Sequence, residues 1–137
     1  MRVAKCHCGE IEITCHGEPG PVIMCHCELC QRRTCSLFSL AVWFDRDSVE
    51  IAGTTKEYTR TTGDAGLPFT FNFCPECGTS IWWFAARPGG PLQDKVGIAG
   101  GCFADTELPP PTVSIYEKHM HDWAAPPTPI ESHDAGL

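Results

Sequence analysis

The ten cysteines of this 137-residue chain constrain its fold more than any other feature. Cys6 and Cys8 form a C-x-C, Cys25, Cys27 and Cys30 a C-x-C-x-x-C, and Cys74 and Cys77 a C-x-x-C. Thiolates are strong zinc ligands, and two of them spaced two or three residues apart can clasp one ion from a single turn. Seven clustered thiols exceed what one tetrahedral ion needs, and they divide naturally into four plus three. Four thiolates close a structural site, whereas three leave a position open to water or substrate. The expectation is two zinc ions, one supporting the fold and one reactive and more labile.

A disulfide scaffold is the competing use of so many cysteines. Such scaffolds belong to secreted chains, and Met1–Cys6 lacks the apolar core of a secretory signal. The expected location is therefore cytoplasmic. No apolar run approaches the ~20 residues of a spanning helix, which argues against a membrane segment. The net charge of −7 argues against a general grip on nucleic acid, which needs a basic face. The length fits one domain. With 13 glycines and 12 prolines, the chain favours short elements joined by turns over long helices.

The apolar pattern predicts β-structure. Ile11, Ile13 and Cys15 alternate with Glu10, Glu12 and Thr14, as in a half-buried strand. Gly17–Pro21 is a turn signal. Val22–Met24 leads into the second cluster, and Glu28–Arg33 suits one short helical turn carrying Cys30. Ser36–Phe44 reads as a central strand, with further strands at Ser48–Ala52, Lys56–Thr62, Phe69–Phe73, Ile81–Ala85, Lys95–Ala99 and Thr112–Tyr116. Phe69–Phe73 and Ile81–Ala85 make a hairpin with Cys74 and Cys77 in a tight knuckle at its tip. The predicted class is all-β: several short, coiled antiparallel sheets pinned by zinc. The predicted organisation is a zinc-binding domain over residues 1–123 and a Pro/Ala-rich tail over 124–137, extended or frayed.

The spacing alone leaves the partition of ligands open. Cys6 and Cys8 can join Cys74 and Cys77, or Cys27 and Cys30 can join Cys74 and Cys77 as a ribbon-type site. Three thiolates at Cys25, Cys27 and Cys30 can grip one face of an ion. That group can also be a second structural site completed by His26, another cysteine or a partner, or a redox pair. His26 lies between two ligands and is expected to point away and donate a supporting hydrogen bond. Cys15 and Cys102 are expected to be packed thiols. Cys35 is read as a small core residue, with approach to the open zinc as the alternative. His119 and His121 would share one face of a strand, as a chelator or as edge histidines. Trp82, Trp83 and Phe84 are core candidates, one of which could wall a pocket. Arg32 and Arg33 follow the reactive cluster, where a carboxylate-bearing substrate would find a partner.

Cys6-His7-Cys8-Gly9, Cys25-His26-Cys27-Glu28-Leu29-Cys30-Gln31-Arg32-Arg33-Thr34 and Phe73-Cys74-Pro75-Glu76-Cys77-Gly78, in that order, resemble the glutathione-dependent formaldehyde-activating (GFA) family. That family also contains centromere protein V, and the resemblance runs over roughly Val3 to Trp123. It implies an Mss-four-like fold, a structural zinc on Cys6, Cys8, Cys74 and Cys77, and a catalytic zinc on Cys25, Cys27 and Cys30. It further implies carbon–sulfur lyase chemistry on a thiol–aldehyde adduct: glutathione and formaldehyde giving S-hydroxymethylglutathione. Its members commonly carry a glycine or other small residue where this chain has Cys35. The alternatives are a non-catalytic zinc-binding interaction module, suggested by kinship with Rab-accessory proteins and centromere protein V, and a thiol redox sensor.

Overall fold

The computed structural model describes residues 1–137 apart from Asp64, Ala65, Ala86 and Thr128. Strand β4 (Ser39–Asp45) shows how the layers arise. Ala41 and Trp43 point to one face and Val42 and Phe44 to the other, and all four are buried. A strand apolar on both faces has to lie inside a sheet covered on both sides. The same alternation recurs on β8 (Ser80–Phe84), where Ile81 joins the Val42 face and Trp83 the Trp43 face. It recurs again on β9 (Lys95–Ala99), where Val96 and Ile98 join the Val42 face. Gly97 lies between them on the tryptophan side. A Cβ there would fall 2.8 Å from Trp83 Nε1 and 3.0 Å from the Trp43 ring, so the absent side chain makes room for both indoles.

Around these strands the chain builds β1 (Arg2–Lys5), β2 (Glu12–Cys15), β3 (Val22–Cys25), β5 (Val49–Ala52), β6 (Lys56–Arg60), β7 (Phe69–Phe73), β10 (Val113–Ile115) and β11 (Glu131–Ser132). One sheet has the order β1-β2-β5 and the other β11-β10-β3-β4-β9-β8-β7-β6. Ile13 and Cys15 of β2, with Ala4, Cys6 and Ile11, press onto Val42, Phe44, Ile81, Val96 and Ile98 to form the first core. The small sheet thus covers one face of the large sheet. On the other face Ile23, Ala41, Trp43, Phe71, Trp83 and Val113 form a second apolar cluster, and this face carries the cleft described below.

The all-β class holds, with one seven-residue helix among the described residues, α1 (Glu28–Thr34). Several details depart from the sequence reading. Strand β4 begins at Ser39 rather than Ser36, because Cys35 closes α1 in the left-handed region (φ 53°) and the chain needs three residues to regain the sheet. Strand β6 ends at Arg60 rather than Thr62. Pairing is antiparallel except that β10 runs parallel to both β3 and β11. His119 and His121 do not share a strand face: residues 117–119 and 122–124 form 3₁₀ turns, so the H-x-H does not alternate across a sheet. Phe84 is not core. It is exposed at the end of β8, with the Arg46 guanidinium 3.9 Å above its ring. No helix of the described residues is long and apolar enough to cross a membrane.

Candidate metal centres and the adjoining cleft

Two sharp turns bring the first centre together. After Cys6-His7-Cys8 the chain turns on Gly9 (φ 87°), whose amide donates to Cys6 O at 3.1 Å. After Cys74-Pro75-Glu76-Cys77 it turns on Gly78 (φ 77°), whose amide donates to Cys74 O at 2.8 Å. A Cβ is disfavoured at both φ values, which accounts for the glycine closing each motif. Thr79 joins the two knuckles, since its Oγ1 accepts from His7 N–H at 3.1 Å and lies 3.2 Å from Cys77 Sγ. That contact pulls the Cys77 thiol down to about 5.

The sulfurs of Cys6, Cys8, Cys74 and Cys77 all lie within 4.8 Å of one another. Cys6 Sγ to Cys8 Sγ is 3.6 Å and Cys8 Sγ to Cys74 Sγ is 3.7 Å. A tetrahedral zinc with bonds of about 2.3 Å requires sulfurs roughly 3.8 Å apart, so the cage has the size of that ion. A disulfide needs about 2.05 Å, and all ten cysteines are free. The Ile11 amide donates to Cys6 Sγ at 3.2 Å, a bond that favours the thiolate a metal would bind.

The second centre is local. Cys25 ends β3, and Cys27 is the N-cap of α1, its sulfur accepting from Cys30 N–H at 3.3 Å. The cap side chain and the third helical residue lie side by side in any capped helix. C-x-x-C across a helix start therefore brings two sulfurs together with no long-range contact, and Cys25 supplies a third within 4.8 Å. Hydrogen bonds from Cys25 and Cys30 draw the Cys27 thiol down to about 2, with the Cys30 amide and the Arg60 charge adding to the effect. The same contacts, in reverse, push Cys25 up. One thiolate thus suppresses the ionisation of its neighbours. A divalent cation would relieve that repulsion, so the donor set fits a metal here too.

The remaining sequence-predicted histidine and cysteines divide between this centre and the first core. His26 is fully buried and turned away, its Nε2 3.0 Å from Ser114 Oγ, and burial lowers its pKa, so the ring is neutral. Cys35 is neither a core residue nor part of the three-sulfur group: it is exposed at the helix end, with its thiol directed at Arg32 O at 3.8 Å. Cys15 is buried, and burial raises its thiol to about 11. Cys102 packs against the first core and is likewise raised to about 11, by burial first and then by the nearby Cys6 and Cys77.

Cys25, Cys27 and Cys30 open onto a cavity of about 710 Å³ on the tryptophan face of the large sheet. Its floor includes Trp43, Phe71 and Trp83, so one member of the aromatic run 82–84 does wall a pocket. Of the two adjacent arginines only Arg33 faces it, while Arg32 stays outside and pairs with Glu28 at 3.6 Å. The Arg33 guanidinium stacks 4.7 Å from Phe71 and 4.5 Å from Trp83, and it donates to Ser39 Oγ at 2.6 Å. Arg60 enters from β6 and lies 5.5 Å from both Phe69 and Phe71. Each of these arginines keeps a buried Nε without a hydrogen-bond partner. Sequence reasoning missed Arg60, which only strand register brings to the cleft, and Thr79, which sits two residues after Cys77 but carries no ligand atom that a spacing argument singles out.

The sequence matches the family model described as glutathione-dependent formaldehyde-activating enzyme over residues 1–119. The chain belongs to the GFA family. A solved structure from Rhodobacter sphaeroides, described only as a protein of that organism, shares the fold of this GFA chain with a TM-score of 0.55. At 21% identity it covers 77% of this chain and 91% of its own. A comparison with curated proteins finds no match.

Proposed function

We propose that this GFA-family chain is a zinc-dependent carbon–sulfur lyase acting on the adduct of a thiol and a small aldehyde. The single observation that carries the reading is that the three-sulfur centre opens into a cleft while the four-sulfur centre does not line it. Cys6, Cys8, Cys74 and Cys77 would hold a structural zinc, and Cys25, Cys27 and Cys30 a catalytic one. When bound there, zinc would supply a site for a substrate sulfur as thiolate, because three anionic ligands make it a weak Lewis acid.

The chain's own residues supply the rest. Arg33 and Arg60 offer guanidinium groups to a carboxylate on the thiol, with Phe71 holding both planes in place. Trp43, Phe71 and Trp83 keep the floor apolar and limit water around the reacting carbon. Glu28 and His119 both line the cleft, Glu28 Oε1 lying 3.9 Å from His119 Nδ1, and this pair is placed to relay a proton to or from the adduct oxygen. In the forward direction the thiol sulfur attacks the aldehyde carbon. One C–S bond forms, the C=O becomes C–OH, and the thiol proton ends on that oxygen. The lyase direction is the reverse. Glutathione and formaldehyde are the first pair to test, because the family is named for them.

A non-catalytic zinc module would have less use for a cleft lined by three arginines (Arg33, Arg60, Arg87) and five aromatic residues (Trp43, Phe69, Phe71, Trp83, Tyr116) beside an open three-sulfur group. The deciding measurement is the exchange rate between thiol, aldehyde and adduct, read by NMR with and without protein, since the uncatalysed reaction is itself appreciable. Cys27→Ser should return the rate to the buffer value while leaving circular dichroism unchanged. Equal rates for wild type, variant and buffer across a panel of thiols and aldehydes would reject the lyase reading.

A further inference from the structure

The cleft has one wall that the chain supplies from its final described segment. Strand β11 adds to the outer edge of β10 in parallel register. Beyond it, His133 N–H donates to Ser114 O at 2.9 Å, Glu117 N–H to His133 O at 3.1 Å, and Tyr116 N–H to Ala135 O at 3.1 Å. Gly136 lies flat against Tyr116, where a Cβ would fall 2.8 Å from the phenolic oxygen. Leu137 then packs on the cluster of Ile23, Trp43, Phe71 and Trp83. Arg87, reaching across from the β8–β9 connection, donates to the main-chain oxygen of Leu137 at 2.8 Å. Ala135, Gly136 and Leu137 therefore line the same cavity as Cys25, Cys27 and Cys30.

The attachment of this segment is slight. It rests on a two-residue strand with both residues exposed, a few main-chain bonds, the contact of Gly136 with the Tyr116 ring, one half-buried leucine and one exposed arginine. Segments held by so few buried contacts detach at far lower cost than the sheet they lie on. Yet the segment covers aromatic rings that would otherwise extend the cleft floor.

We propose that residues 133–137 form a displaceable strap that sets the size of ligand reaching Cys25, Cys27 and Cys30, with Leu137 as its specificity-determining residue and Arg87 as its clasp. With the strap seated, the cleft admits compact thiols and their small-aldehyde adducts. Bulky or extended thiols reach the sulfurs only by displacing Leu137 from the aromatic floor. The proposal rests on the three sulfurs facing the cleft, and it holds whether or not the bound metal turns over an adduct.

The test uses the intact chain and two thiol-directed probes, N-ethylmaleimide and a maleimide carrying fluorescein, with labelling of Cys27 followed by mass spectrometry. Cys35, exposed and outside the cleft, is the internal reference for intrinsic probe reactivity. Buried Cys15 reports loss of the fold. In the wild type the bulky probe should label Cys27 at least tenfold more slowly, relative to Cys35, than the small one. Leu137→Asp and Arg87→Gln should each remove at least fivefold of that discrimination, whereas Leu137→Met should keep it. If Leu137→Asp exposes Cys15, the exposed-site variant Arg87→Gln alone decides. Discrimination that is absent in wild type, or unchanged in the folded variants, overturns the strap. Because the readout is labelling and not turnover, an inactive protein with a size-selective strap would reject the lyase reading and leave this one standing.

Discussion

Cys27 combines two roles in one side chain: it caps α1 through its sulfur and contributes that sulfur to the three-cysteine centre. Serine is among the better N-cap residues. Cys27→Ser therefore removes a candidate metal ligand while keeping the cap, and for that reason it is the variant chosen above to separate chemistry from folding. Cys35, at the other end of the same helix, behaves oppositely. It occupies the left-handed region at φ 53°, where a Cβ costs roughly 1–2 kcal/mol, and its side chain is exposed. Cys35→Gly should raise the free energy of unfolding by about 1 kcal/mol once the extra freedom of glycine in the unfolded chain is set against the relief. Urea denaturation measures this, and zinc content should not change. A lower stability would show that the contact from Cys35 Sγ to Arg32 O outweighs the backbone strain. The left-handed conformation at the helix end favours glycine at this position on backbone grounds alone.

Among the elements, β9 carries the sharpest packing constraint. Gly97→Ala would drive a methyl against Trp83 and Trp43, at 2.8 and 3.0 Å, between two rigid indoles. Overpacking of this kind costs about 1–3 kcal/mol. The expected outcome is a lower denaturation midpoint together with altered near-ultraviolet circular dichroism. Unchanged spectra and stability would mean that the indoles shift freely. Strands with a clean period-two pattern were legible in the sequence, and Phe69–Phe73 and Lys95–Ala99 match at both ends. Ser36–Phe38 was not legible as a helix exit, because its apolar composition conceals the left-handed turn at Cys35. The edge strands β1 and β11 were unreadable for a different reason. Arg2–Lys5 has no clean alternation, and Glu131–Ser132 is too short to show one, so each exists only because a partner strand is there. The cysteine groupings were readable because ligand spacing is local, set by a knuckle or a helix start. The cleft walls were readable only in part: Arg33 follows the cysteine cluster directly in the chain, whereas Arg60 and Leu137 come from separate elements and reach it only through the sheet order.

At the scale of the molecule, the large sheet separates the two centres by environment. Cys6 and Cys74 are buried in the core between the sheets, whereas the three-cysteine group faces the open cleft. A chelator should therefore extract zinc in two phases. The first phase should empty the cleft site with little change in far-ultraviolet circular dichroism. The second should accompany unfolding, because an ion there would tie residues 6–8 to residues 74–77. Acidification acts in the same direction, since protons compete with the metal for each sulfur and affinity falls as pH is lowered. A single phase, or loss of the fold in the first, would contradict this assignment. The order of ligands along the chain has a consequence for biosynthesis. Cys25, Cys27 and Cys30 are synthesised within six residues of one another, but Cys6 and Cys8 wait for Cys74 and Cys77. At elongation rates of about 5–20 residues per second, that wait lasts roughly 3–13 s. The nascent chain thus presents the thiols of Cys25, Cys27 and Cys30 before the four-cysteine centre can close and well before Leu137 is made to cover them. A metal ion bound during synthesis would then shield these thiols until the fold closes over them.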